Sequence, residues 1–176
     1  GGAGGEAVRK LEGLVELTKE SFQSEVLEDT ARDVIVLFHT STHKSSKDFA
    51  IYWKKLVERF RALAIPSIKV ARYDVALHQI PREVEFESTP AVVLIPAKDK
   101  TPPYPVFHGK GKVRPIMMWA QQVASVRFEY PNDTPHLDEE QREAYLVQIV
   151  ERDERVNAER ARKKEERIAK IEKGEL

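Results

Sequence analysis

Val34-Ile35-Val36-Leu37-Phe38-His39-Thr40-Ser41-Thr42-His43-Lys44-Ser45-Ser46-Lys47 is the stretch that decides the fold. Its first five residues are apolar and mostly β-branched, without polar alternation. Such a run reads as a strand covered on both faces. A polar loop, His39 to Ser46, follows it. Beyond the loop, Phe49, Trp53, Leu56, Val57, Phe60 and Leu63 recur at steps of three and four. That spacing puts one apolar face on a helix, and Pro66 closes the element.

The same reading extends outward. Upstream, Val15-Glu16-Leu17 alternates and predicts a short edge strand. Thr18 then caps a helix carrying Phe22, Val26 and Leu27. Downstream, Ile68, Val70 and Tyr73 mark a third strand ended by Asp74. Pro81 falls near the start of a short predicted helix containing Val84. Ala91-Val92-Val93-Leu94-Ile95 is a fourth strand, again apolar on both faces. Lys98 to Pro105 is a turn, Val106-Phe107 a short last strand, and Gly109 and Gly111 mark its end. Pro115 opens a helix with Ile116, Met117, Trp119, Ala120 and Val123 on its apolar side. The order β-α-β-α-β-α-β-β-α predicts an α/β fold, a central sheet with helices on both faces, over residues 14–128.

Composition narrows the chemistry. The chain has 176 residues and no cysteine, with 29 basic and 29 acidic side chains. Without cysteine there is no disulfide to staple the fold and no thiolate to act as nucleophile or metal ligand. The balanced charge supplies no net field for nucleic acid. No apolar run is long enough for a membrane-spanning helix. The opening Gly1-Gly2-Ala3-Gly4-Gly5 predicts a flexible segment over residues 1–13.

The tail is different in kind. Pro131-Asn132-Asp133-Thr134-Pro135 is a breaker cluster, giving a linker over residues 129–136. Residues 137–176 read as a long charged helix of coiled-coil type, capped by Asp138 or Thr134. Tyr145, Leu146, Ile149 and Val150 form its one apolar patch, a candidate anchor for another subunit. Beyond Glu151 almost every residue is charged. Glu151–Arg155, Glu159–Lys163 and Glu166–Lys170 sit four apart in the favourable order, each pair worth about 0.3 kcal/mol. The basic patch around Arg160, Arg162, Lys163 and Lys164 is interrupted by glutamates and lacks aromatics, so a solvated helix face is expected.

The segment Phe38 to Lys47 resembles the active-site stretch of thioredoxins and protein disulfide isomerase domains. Their pattern is an apolar strand, a short loop, Cys-x-x-Cys-Lys and a helix. On that pattern His43 replaces the first Cys, Ser46 the second, and Lys47 keeps the Lys. Ser88-Thr89-Pro90 before an apolar strand looks like the family's cis-proline loop. Val15 to Phe22 is similar to the start of disulfide isomerase domains. Phe107-His108-Gly109, with Arg114 and Trp119, resembles the last strand and helix. The resemblance implies a thioredoxin-like fold, a mixed sheet with helices on both faces, over about two thirds of the chain.

It also shows what is missing. Disulfide exchange needs a thiolate at the helix N-terminus and a second thiol to resolve the mixed disulfide. The family's buried carboxylate corresponds here to Leu37, and its neighbouring Lys to Arg72. The site His43-Lys44-Ser45-Ser46 is therefore expected to be redox-inactive, with no catalytic residue, cofactor or metal implied. His43 as base for Ser45 or Ser46 is the remaining chemical option, and an exposed loop histidine the plainer one. His39 and His43 are four apart, but no carboxylate pair completes a metal site. Backbone beside Thr89 and Pro90 is a candidate for pairing with extended peptides, as in the family.

Two roles follow. One is a non-catalytic scaffold or accessory subunit among other protein subunits of a larger organellar complex, in a mitochondrial setting. The other is a non-catalytic disulfide-isomerase-like chaperone of the endoplasmic reticulum lumen. Lys173-Gly174-Glu175-Leu176 is close to the retention tetrapeptide Lys-Asp-Glu-Leu, and equally reads as a helix end with glycine at its C-cap.

Overall fold

The computed structural model describes residues 12–130 and 137–175. Most of the segment 1–13, the breaker cluster with Thr134, and Leu176 lie outside the described residues. Within them the chain forms β1 (Leu14–Leu17), α1 (Lys19–Phe22), β2 (Asp33–His39), α2 (Lys44–Ala62), β3 (Ile68–Asp74), β4 (Ala91–Ile95), α3 (Val113–Val123) and α4 (Glu139–Glu172). The sheet order is β1-β3-β2-β4. β1 and β2 run parallel to β3, and β4 runs antiparallel to β2.

Period two in β2 explains its unbroken apolar run. Ile35 and Leu37 point to one face, where α2 and α3 bring Trp53, Leu56, Phe60, Ile116, Met117 and Ala120. Val34, Val36 and Phe38 point to the other, against Phe22, Val26, Tyr73 and Val84. All five are at most 2% exposed. Burying each such side chain contributes roughly 1.5–3 kcal/mol, so this strand alone accounts for a large share of the core.

Polar groups fix its ends. Asp33 is wholly buried. Its Oδ1 accepts from Ala97 N at 2.7 Å and Ser125 Oγ at 2.5 Å, and its Oδ2 from Val126 N at 3.0 Å. One carboxylate thus ties the start of β2 to the exits of β4 and α3. Nearby, the buried Lys69 ammonium donates to Glu25 O at 2.6 Å and contacts Asp29 at 2.8 Å. Partial burial pushes the Asp29 carboxyl up, but Lys69 and the N–H groups of Ala31 and Arg32 outweigh it and hold it at about 2.

The structure departs from expectation at four places. Thr18 does cap α1, with a reciprocal bond to Ser21, but the chain then widens into a π turn over Gln23–Leu27. The helix expected around Val84 is absent. Val84 N instead closes a turn on Pro81 O at 3.0 Å, and the alternation Glu83-Val84-Glu85-Phe86-Glu87 lays Val84 and Phe86 on the second core layer. The strand Val106-Phe107 is reduced to a single bridge, Val93 to Val106, flanked by Leu94 N to Pro105 O and Phe107 N to Val92 O. Pro102, Pro103 and Pro105 remove the donors that a longer ladder needs.

The fourth departure is the tail. Asp138 caps α4 through a box with Gln141, and the helix runs 34 residues. One face of its first four turns packs on the domain. Ile149 is buried, and Tyr145 and Leu146 pack against the main core. Residues 158–175 alone are exposed throughout. Of the three expected Glu-first pairs, Glu159–Lys163 forms at 3.8 Å, while Arg162 engages both Glu159 and Glu166. Gly174 adopts φ 74° and closes the helix, its N–H reaching Ile171 O.

Three outcomes check this description. Asp33→Ala strands two backbone N–H groups and a hydroxyl, and should lower unfolding free energy by about 3 kcal/mol in urea titration. Ala64 follows α2 at φ 50°, the left-handed conformation that favours glycine. Ala64→Gly should therefore be neutral to stabilising, by up to about 1 kcal/mol, despite losing a methyl. The Asp29 carboxyl is held below its ordinary 3.8, so its contribution is complete above that value and is lost as pH falls through about 2. Acid titration of Asp29→Asn should show a lower plateau near neutrality and a shallower loss over that window.

Candidate functional site

The C-terminal end of β2 delivers the chain into a tight loop. His39 leaves the strand, and Lys44 begins α2 four residues beyond Thr40. His43 is the N-cap, with extended backbone and no capping bond from its side chain. Its N–H donates to Thr40 O at 3.2 Å and its carbonyl accepts from Lys47 N at 3.1 Å. The ring is exposed. Among the described residues no hydrogen bond joins it to Ser45 or Ser46. Lys44 and Ser45 are exposed as well, with Lys44 Nζ 3.9 Å from Asp48.

Ser46 is the exception. It is 3% exposed, and its Oγ accepts the Thr40 N–H at 3.1 Å. The hydroxyl therefore closes the loop from inside, six residues along the chain. A buried N–H left without a partner costs about 1–3 kcal/mol, which this bond avoids. Thr40 and Thr42 hydroxyls meet at 3.0 Å over the same turn.

Thr89 and Pro90 arrive at the same end of the sheet. The antiparallel register sets Ala91 opposite Phe38, so the residues just before Ala91 adjoin those just after Phe38. The Thr89–Pro90 peptide is cis, and both residues are half-buried. The structure thus gathers His43, Ser46, Thr89 and Pro90 at one sheet end.

Below α2 lies a groove of about 490 Å³, lined among others by Glu16, Leu37, His39, Trp53, Arg72 and Asp74. Leu37, 2% exposed, pairs in register with Arg72, and Arg72 turns outward to Glu16. Where the family resemblance expects an acid facing a base, an aliphatic side chain faces an arginine already engaged. Burial lowers the pKa of His39, with Asp74 acting against it. Partial burial raises the Asp74 carboxyl, but the N–H groups of Ala76 and Ser41 and the His39 ring hold it below its ordinary value. Trp53 Nε1 is buried without a partner among the described residues. No group of three or more His, Asp or Glu side chains converges there either.

The other candidate set lies elsewhere. Tyr145, Leu146 and Ile149 pack on the chain's own domain, with Tyr145 Oη donating to Gln122 at 3.0 Å. The apolar patch is consumed internally because four helical turns supply enough area to cover α3. Val150 is half-buried at the margin. Sequence reasoning missed Asp153, one turn beyond Ile149 on the same stripe. It is 7% exposed, and its Oδ2 accepts from Val106 N at 2.9 Å. His108 Nε2 stands 2.5 Å from its Oδ1, without hydrogen-bond alignment. An acid on an apolar stripe was the available signal.

No protein-family model matches the chain, and neither does any curated protein sequence. Solved structures do. The first thioredoxin domain of mouse protein disulfide-isomerase A4 is 17% identical, with TM-score 0.56, covering 74% of this chain and 89% of that domain. The J-Trx1 fragment of ERdj5 is 13% identical, with TM-score 0.52, covering 64% of this chain and 50% of the fragment. Human ERp44 in a zinc-bound form is 14% identical, with TM-score 0.51 over 62% of this chain and 30% of that one. This chain thus spans half of the first fragment's length and less than a third of ERp44. Together with the sheet order and the cis Thr89–Pro90, these similarities establish a thioredoxin-like fold.

Proposed function

We propose that this chain is a non-catalytic thioredoxin-like interaction domain, one that contributes a surface rather than a reaction. The carrying observation is Ser46. The position that would hold a resolving thiol holds a hydroxyl, turned inward and committed to the Thr40 N–H. The absence of cysteine and the apolar Leu37 support the same reading from independent parts of the machinery. His43 adds no nucleophile-activating contact, since the geometry of base catalysis requires hydrogen-bond reach.

In this role the domain serves other protein subunits of an organellar assembly. A second form of the role takes its support from the disulfide-isomerase domain that shares the fold. In it the domain holds extended peptides beside Thr89 and Pro90, in the lumen of the endoplasmic reticulum. The mitochondrial setting draws no comparable support.

Insulin reduction by dithiothreitol tests the reading. The chain should leave the rate at its background. Installing both thiols, as His43→Cys with Ser46→Cys, should produce measurable acceleration, and adding Leu37→Glu should raise it further, by up to roughly a hundredfold, the low end of proton-transfer contributions. Acceleration by the unaltered chain would overturn the proposal.

A further inference from the structure

Arg160 pairs with Glu87 of the domain at 3.7 Å, and beyond it α4 is exposed throughout, yet this exposed part is not uniformly polar. Ile168 and Ile171 are 45% and 55% exposed, and Val147 on the proximal half is 57% exposed. An isolated charged helix is marginal in water without packing on one face. The apolar residues fall on a single seam. Val147, Val150, Glu154, Asn157, Ala161, Lys164, Ile168 and Ile171 are spaced three and four apart, the a/d pattern of a coiled coil.

The seam is self-complementary about Glu159. Reflection through that point matches Val147 with Ile171, Val150 with Ile168, Glu154 with Lys164, and Asn157 with Ala161. Apolar meets apolar, acid meets base, and the centre is small. Net charge follows the same reflection. Residues 139–154 carry six acidic and two basic side chains, whereas residues 160–173 carry seven basic and three acidic. A parallel pairing would set Glu154 on Glu154 and Lys164 on Lys164, which is repulsive.

The proximal half also presents a receptacle. A groove of about 520 Å³ runs between this part of α4 and the proline-rich loop, floored by Pro96, Tyr104, Leu146, Val147 and Val150. Five acidic residues, Asp99, Glu139, Glu143, Glu151 and Glu154, line it against two basic ones, Lys98 and Arg142. Val147, Val150 and Glu154 of the seam line its helix side. A segment fitting this groove needs apolar side chains flanked by bases, and Lys164, Arg167, Ile168, Lys170 and Ile171 of the distal half have that character.

We propose that the occupant is a second copy of this chain, paired antiparallel through α4 so that each distal half lies in the other's groove. The arrangement is isologous and closed, with two grooves filled by two tails. It stands apart from the redox argument: insulin reduction by a dimeric chain would overturn the non-catalytic reading and leave the pairing intact.

Sedimentation equilibrium of the full chain across the micromolar range should give twice the 20.2 kDa protomer mass. Ile168→Lys with Ile171→Lys should yield monomers whose circular dichroism still shows the folded domain, because neither residue contacts it. Glu154→Lys should weaken association roughly tenfold by turning two attractive pairs repulsive, and adding Lys164→Glu should restore it. The cysteine-free background gives a direct orientation test. On oxidation, Val147→Cys mixed with Ile171→Cys should form the 147–171 cross-link, and Val147→Cys alone should form none. A monomer throughout the range, or a 147–147 cross-link, would overturn the proposal. Capture of the seam only by a different protein would do the same.

Discussion

Strand β2 is the constraint on which the structure depends. With β3 it is one of the two strands bonded on both sides within the four-stranded sheet, and it carries core on both faces. A strand in that position has no solvent-facing side on which to satisfy a polar residue. Its two ends therefore carry the polar work. At the start, Asp33 gathers three donors from two other elements. At the finish, the backbone must leave the sheet, turn in a few residues and start a helix over the core. The loop to α2 is shaped by that demand before any chemistry is considered.

The demand explains how a thioredoxin-like tip can persist without sulfur. The turn still needs a small, buried group at the first turn of α2. Serine meets it by accepting the Thr40 N–H, and gains a hydrogen bond that a thiol makes only weakly. Leu37 supports the proposed non-catalytic role. A buried carboxylate requires compensation, whereas an aliphatic side chain at 2% exposure only adds apolar area. Arg72 pairs at the margin with Glu16 across the β1–β3 register. The pieces are mutually consistent: apolar where proton transfer would need polarity, and internally bonded where exchange would need a free nucleophile.

Elements with strong periodicity were legible from residues alone. The unbroken runs of β2 and β4 and the three-and-four spacing of α2 and α3 stand where the spacing placed them. The order of elements sufficed for the fold class. Less was legible where tertiary contacts override local preference. The segment around Val84 begins with a proline suited to a helix, but its alternation is used to cover the sheet. The strand at Val106 was shortened by prolines whose effect on pairing depends on a neighbour. Asp33 was not singled out, since nothing local announces that a carboxylate will find three donors far along the chain. In the site, the residues that fall on the family's thiol positions could be named from the resemblance, but the inward commitment of Ser46 could not. That depends on where Thr40 points after the turn. The long charged helix of the tail stands where it was read, but the packing of its first turns was missed because charge dominates its composition, although Tyr145, Ile149 and Asp153 share one stripe that faces the domain.

The account rests most directly on the Thr40 N–H to Ser46 Oγ bond, and amide hydrogen exchange reads it residue by residue. The Thr40 amide should be protected in the unaltered chain, lose most of that protection in Ser46→Ala, and keep it in Ser45→Ala. A Thr40 amide whose exchange is indifferent to removal of the Ser46 hydroxyl would contradict a structural role for that group.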